Sequence, residues 1–450
     1  MHVAREAALR GLRVALIEQE DFGSGTSGNS HKIIHGGLRY LQHADFRRMR
    51  EAVRERTILF RTAPHLVHPM PVLIPLYRHR PPGRFLMSLA LRLNDLLSFD
   101  RNRGLERRPR DRTRTYRFPR GLLKVVPWIV AKERLIAGAL FYDGQVSNPE
   151  RLILSLAQSA SVAGADLANY VQVTGLVKKE KAGVAGVRAT DVLTGHDLEV
   201  RANIVVNCTG PWSPHILLPL GQSTWPAELK WLKAMVLVTR PVVGRTAVGV
   251  PCPSTYRDED AVVNKGYRNL FITPWRDASL IGTFQAAYDG DIRYLHVEDE
   301  EIESFIAEIN QALPSARLTR ADVRWVHCGL LPRSGQENGN GEPQLLKQFC
   351  IHDHADTEGI DGMISVVGVK YTTARGVAEK AVDLVFRKLR KPVVPSRTAG
   401  ATRLRREYRE TGSVSRQCAR YSSGLYRRNS DPIPCVYLRV YVSRPPRLRK

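Results

Sequence analysis

The first eighteen residues set the narrowest limit on the fold. Val3 to Leu12 reads as a helix, with Ala4, Ala7 and Ala8 on a small-residue face and Gly11 as its stop. Arg13 to Glu18 (RVALIE) follows as a short apolar strand ending in an acid. Helix, tight turn, apolar strand and terminal carboxylate make the second half of a dinucleotide-binding βαβ unit, where that carboxylate accepts from adenosine ribose hydroxyls. The first half of such a unit, an apolar strand and a GxGxxG turn, does not precede the helix. A generic helix–strand pair fits the same residues.

The chain has 450 residues, 43% hydrophobic and 25% charged, which is enough for two or three domains with ordinary cores. That apolar content argues against disorder throughout, and no run of 18 apolar residues suggests a spanning helix. Six cysteines, at 208, 252, 328, 350, 418 and 435, form no CxxC pair and no Cys/His zinc spacing, so no metal site is expected. They read as reduced thiols, and MHVAREAALRGL lacks the apolar core of an export signal; a cytoplasmic protein is expected.

The net charge is +24, from 68 basic and 44 acidic residues, and it is concentrated. Arg78 to Arg120 carries 13 arginines against 4 acids, and Thr398 to Lys450 carries 13 basic residues against 3 acids. Such patches suit nucleic acid or an anionic surface, yet neither has a helix-turn-helix, an RNP aromatic pattern or a zinc-finger spacing. A solvated arginine-rich surface accounts for them as well, and no nucleic-acid partner is expected.

Between these patches the text is that of a mixed α/β enzyme. Asp21 to Gln42 (DFGSGTSGNSHKIIHGGLRYLQ) is a Gly/Ser/Thr-rich loop suited to phosphate or flavin contacts, and a strongly helical stretch follows to Phe60. The Pro-rich run Pro64 to Pro82 leaves this unit. Lys132 to Asp143 reads as helical, and a second helix begins at the cap pair Asn148–Pro149. Strands are expected at Tyr170–Lys178, Val184–Val192 and Asp197–Val200. ANIVVNCTGPWS then delivers a buried strand into a Gly-Pro turn. Trp225 to Tyr294 alternates like an antiparallel sheet, Glu298 to Ala312 is an amphipathic helix, and GMISVVGVKYTTARGVAEKAVDL is strand, turn and helix. Beyond Pro395 the pattern dissolves.

In order along the chain, AREAALRGLRVALIEQEDFGSGTS, HKIIHGGLRYL, GALFYDGQV, VVNCTGPWS, LFITPW, IGT and GVKYTTARGVAEKAVDL resemble the FAD-dependent glycerol-3-phosphate dehydrogenase family. The resemblance runs from Val3 to about Leu389. It implies a flavin-type Rossmann domain with an antiparallel-sheet substrate domain, its first strand and glycine loop missing from this chain. The expected division is 1–77, 144–215 and 346–392 for FAD, 78–143 and 216–345 for substrate, and 393–450 as a basic, disordered tail. The implied reaction is hydride transfer from C2 of sn-glycerol 3-phosphate to FAD, giving dihydroxyacetone phosphate, with electrons passed to a quinone or, in some relatives, to oxygen. A related flavin oxidase of another substrate is the alternative within this class.

By motif position the resemblance places Glu18 at the ribose. Ser24, Gly25, Thr26 and Ser27 lie along the flavin, with Lys32 and the Gly36–Gly37 turn close by, and Gly210 packs against the cofactor. Lys370 and Thr372 are expected at the isoalloxazine, where a lysine stabilises developing negative charge. Arg39, with Tyr40, is the expected phosphate or hydroxyl partner, and Thr283 lies near the substrate. His35 is the candidate base for the C2 hydroxyl, although a hydrogen bond within its turn would also explain it. Relatives carry GLRPL where this chain has GLLPRSG, so Leu331 stands at the arginine's place and Arg333 is the candidate substitute. SHKIIHGG replaces SSKLIHGG, and GTFQA replaces GTTDT.

Relatives also place a strand and glycine turn before the AREAALRG helix. The chain is therefore expected to begin late in its family's frame, to bind FAD weakly or not at all, and to carry frame-shifted text after about Thr398. FLMSLALRLNDLLSF, flanked by arginines, is expected either to lie peripherally on the inner face of the cell membrane or to pack against the substrate domain. A homodimer is left open.

Overall fold

The computed structural model describes residues 1–78, 84–101, 105, 114–116, 135–179, 182–217, 229–253, 267–337, 343–346, 348–400 and 433–439. Val14–Glu18 is buried at all five positions because it lies inside a sheet covered on both faces. Val14 and Leu16 face helices, in a core with Ala4, Ala7, Ala378 and Ala381. Ala15 and Ile17 face the opposite core, with Val171, Val187 and Val200 of an antiparallel meander. The alanine face of His2–Leu9 lets that short helix pack closely against Pro149–Val162 and Ala374–Lys388. Asn148 caps the former, accepting from the Arg151 N–H at 3.0 Å.

The strand order is Cys350–Asp353, Met363–Val367, Asp197–Asn207, Ile433–Arg439, Val14–Glu18, Ala165–Ala168. Every neighbour in this row is parallel except Cys350–Asp353, which runs antiparallel to Met363–Val367. The place between Val14–Glu18 and Asp197–Asn207, expected to lack its strand, is filled from the far end of the chain. Val436 pairs with Ala15 on one side and Val205 on the other. Over Ile433–Arg439 the expected disordered tail is thus corrected to a central strand. Thr398 is also held in place, 2% exposed and bonded to Glu6 and Arg375.

A second sheet of ten strands runs Pro343–Leu345, Val323–Glu337, Lys230–Thr239, Ala278–Tyr288, Tyr267–Trp275, Ala247–Pro253, Val67–Tyr77, Leu135–Val146, Ile33–Ile34, with Arg114–Tyr116 also on Leu135–Val146. It is antiparallel apart from the short pairing of Ala247–Val248 with Val72–Leu73. The helical reading of Lys132–Asp143 is corrected: Leu135–Val146 is a strand, paired along its length with Val67–Tyr77. Its Ala and Leu content favours helix locally, but cross-strand packing on two faces overrides that preference. Val67–Tyr77 tolerates Pro69, Pro71 and Pro75 because alternate positions put all three missing N–H groups along one edge. Among the described residues that edge is paired only at Val72–Leu73. Ile33–Ile34 and Val67–Tyr77 therefore belong to this second sheet, which runs across the domain boundary expected at residue 77.

The two sheets are tied by side chains. Arg375 on the helix Ala374–Lys388 donates to both oxygens of Glu55, at 2.6 and 2.7 Å, on Phe46–Thr62, and both residues are buried. The arginine-rich segment forms the helix Arg84–Leu97, which buries Met87 and Leu91 against Met70, Val72 and Ala137. Among the described residues no helix is long and apolar enough to cross a membrane.

Candidate active site

Glu18, Asn207 and Val367 end three parallel strands at one edge, where α/β sheets present their ligand-binding turns. Glu18 is fully buried, and its Oε1 accepts from the Glu20 N–H at 3.2 Å. Asp197–Asn207 runs into a polar knot in which Thr209 Oγ1 donates to Asn207 Oδ1 at 2.7 Å. Gly210 follows with φ +60, opening the turn Gly210–Trp212. Val367 leads to the turn that carries Lys370 and Thr372.

The Gly/Ser/Thr loop folds over this edge and meets the second sheet. The Gly25 carbonyl accepts from the N–H groups of Gly28 and Asn29, at 3.0 and 3.2 Å. Thr26 packs on Gly329, where a Cβ would come within 3.0 Å of the Thr26 side chain. His31 packs on Gly282 in the same way, and Thr283 is the next residue along that strand. His327 Nδ1 lies 3.2 Å from Asn29 Oδ1. Lys32 is buried; its Nζ donates to the Gly28 carbonyl at 3.1 Å and lies 5.1 Å from the Trp275 ring centre. Burial lowers its pKa. Burial first, and His35 second, push His31 down to about 3; burial and then Lys32 push His327 to about 4. Both imidazoles are neutral at physiological pH.

The HGG turn is fastened from three directions. The His35 N–H donates to Thr372 Oγ1 at 3.0 Å. His35 Nδ1 lies 3.3 Å from Asp143 Oδ2, and the Gly36 N–H donates to Asp143 Oδ1 at 2.5 Å. Arg56, 3.6 Å from Asp143, balances that carboxylate. A Cβ on Gly36 would lie 2.8 Å from Asp143 Oδ1, so only glycine leaves the carboxylate its place. Tyr40 is buried, and Lys370 Nζ donates to its hydroxyl at 3.3 Å. Arg39 directly precedes Tyr40 in the turn Leu38–His43; its side chain is outside the described residues. Arg333 shares a sheet face with His327 and Gly329 by the strand's period of two, and its Nη2 lies 3.3 Å from Asp289 Oδ1.

The structure thus brings together His35, Gly36, Tyr40, Lys370 and Thr372 on one side, and Thr26, Lys32 and Thr283 at the loop–sheet seam. Arg333 is not in contact with them. Asp143, His31, His327 and Trp275 are further members that the sequence reading left without roles. Asp143 stands inside the quoted GALFYDGQV motif, and His31 in the departure SHKIIHGG, so the text for both was visible. Ser24 Oγ, His31 Nε2, His327 Nε2 and Thr273 Oγ1 are buried without a hydrogen-bond partner. Unsatisfied buried polar atoms are costly, and four around one seam fit a polar ligand lying along it. With the carboxylate of Glu18 at the strand end, these residues suit a dinucleotide.

Parallel strands presenting polar turns at one edge, with an antiparallel sheet meeting them, fit the fold of an oxidoreductase that uses a nucleotide cofactor. The chain belongs to the FAD dependent oxidoreductase family, whose profile matches residues 1–384. FAD is that family's cofactor, and the chain is an enzyme by family. It is 36% identical over 405 residues to a glycerol-3-phosphate dehydrogenase of Synechocystis, covering 88% of this chain and 69% of that protein. It is 30% identical over 426 residues to the mitochondrial glycerol-3-phosphate dehydrogenase of mouse, covering 88% of this chain but 52% of the relative, about half its length. Among solved structures it resembles the glycerol-3-phosphate dehydrogenase of Bacillus halodurans complexed with FAD, at TM-score 0.64 and 25% identity, covering 93% of this chain and 70% of that one.

Proposed function

We propose that the protein oxidises sn-glycerol 3-phosphate to dihydroxyacetone phosphate and passes the electrons to a quinone. The observation that carries this reading is the His35–Asp143 pair, fastened by Thr372 beside Lys370 and the Arg39 turn. When bound, FAD supplies the two-electron acceptor for the C2 hydride. His35 takes the proton of the C2 hydroxyl, and Asp143 holds its ring in the accepting orientation. Arg39 and Tyr40 grip the phosphate dianion, with Thr283 and Arg333 on the sheet side. Lys370 places positive charge where negative charge grows on reduction.

The direct test is dye reduction by FAD-loaded protein. Glycerol 3-phosphate should support turnover, whereas glycerol, proline and glycine should not. Turnover only with an amino acid would overturn the substrate assignment. Salt-sensitive DNA binding by a flavin-free protein would favour the basic-patch reading instead.

Electron delivery to a quinone puts the enzyme at a bilayer surface. On the helix Arg84–Leu97 and just beyond it, Phe85 and Phe99 are 84% and 81% exposed, with Leu89 and Leu96 between them on the same face. This stripe and its flanking arginines form the proposed peripheral contact. Leu89→Asp with Leu96→Asp should release the protein from anionic vesicles in a flotation assay while dye reduction persists. Equal flotation of variant and parent would remove the stripe from the account. A homodimer is compatible with this arrangement; size measurement in solution decides it.

A further inference from the structure

At the outer edge of the parallel sheet, away from the HGG turn, three ligand-type side chains converge. His352 lies on the edge strand Cys350–Asp353, and His354 and Glu358 on the short helix His354–Glu358 that follows. His352 Nε2 is 3.1 Å from both carboxylate oxygens of Glu358, and His354 Nδ1 is 3.1 Å from Glu358 Oε2. The three donor atoms lie within 4.8 Å of one another. His354 is fully buried, and the side chains of Glu358 and His352 are 3% and 14% exposed. The other nitrogen of His354 faces Ser365 Oγ at 2.9 Å, on the neighbouring strand. Thr357 Oγ1 lies 3.0 Å from His352 Nε2 and donates to Glu358 Oε2 at 2.7 Å.

We propose that His352, His354 and Glu358 form a binding site for one divalent first-row transition cation, zinc by its donor set. Two imidazoles and a carboxylate are a common zinc triad, and zinc–nitrogen and zinc–oxygen distances of about 2.0–2.1 Å in a tetrahedron put donor atoms about 3.3 Å apart. The two His–Glu separations match that edge length. Ser365 supplies the partner that such sites place behind a ligating histidine: with the cation on Nδ1, the His354 proton sits on Nε2 and donates to the serine hydroxyl. No group outside the cluster has to change its protonation. Water fills the fourth position through the partly open side at His352. The cation clamps the edge strand to the helix that follows it, so its role is structural.

The test uses the full chain, stripped with a chelator and titrated with Co²⁺. One equivalent should bind with visible ligand-field bands and no thiolate charge-transfer band, and Zn²⁺ should displace it. Pulsed EPR on the wild-type cobalt protein should report two imidazole nitrogens. His352→Gln should weaken binding by about 100-fold or more, beyond the 10–100-fold typical of outer-shell changes and expected for Ser365→Ala. Zn²⁺ should raise the Tm of the parent but not of His352→Gln. Bands that persist in His352→Gln, an EPR signal without two imidazoles, or a thiolate band lost in Cys350→Ser would each overturn the proposal. The EPR result stands even if a variant fails to fold.

Discussion

A chain shortened to residues 1–400 is expected to lose its cooperative thermal transition, whereas one shortened only to residue 439 keeps it. The difference between the two is the segment that contains Ile433–Arg439. This strand pairs over five positions with Val14–Glu18 and over five with Asp197–Asn207. At about 1 kcal/mol net per hydrogen bond, those two ladders are worth on the order of 5–10 kcal/mol. A whole domain is stable by only about 5–15 kcal/mol. Without the strand, two apolar strand edges that need parallel partners face one another unpaired, so aggregation should accompany the loss. Val436→Pro in the full chain probes the same point, because proline cannot donate from a strand flanked on both sides. Calorimetry and light scattering read both results. A 1–400 chain with an unchanged transition would show that the strand adds nothing to the fold.

His35→Gln should lower kcat for glycerol 3-phosphate by about 10²–10⁴-fold with little change in KM, the range for losing a general base. Flavin content should stay at the parent level, since the backbone contact from His35 to Thr372 does not need the imidazole. Asp143→Asn should also lower kcat, because the amide presents His35 with a different hydrogen-bonding partner and removes the negative charge 3.6 Å from Arg56. A kcat within about threefold of the parent for His35→Gln would remove that residue as the base.

The helix and strand at 2–18, the loop at 21–32 and the turn at 370–372 were legible because local patterns encode them. A small-residue face, a four-residue apolar run closed by an acid and a glycine-rich turn each have their own chemistry within a dozen residues. Leu135–Val146 was not legible in this way. Its alanines and leucines suit a helix, and it becomes a strand only because an eleven-residue partner lies beside it. Asp143 was hidden for the same cause: its role at His35 depends on that strand's register with Ile33–Ile34, set from more than a hundred residues away.

Charge followed the same division. The two basic segments were countable in the text, but position gave them different meanings. One becomes a helix with a buried side and an exposed apolar stripe; the other includes a strand at the centre of the parallel sheet. By itself, the sequence determined the family and the cofactor class, because these reside in short motifs whose chemistry is local. Only the tertiary structure decided which strand stands between Val14–Glu18 and Asp197–Asn207, and which carboxylate holds His35. Both depend on pairings between distant segments, and a strand's partner is chosen by the edge it meets rather than by its own residues.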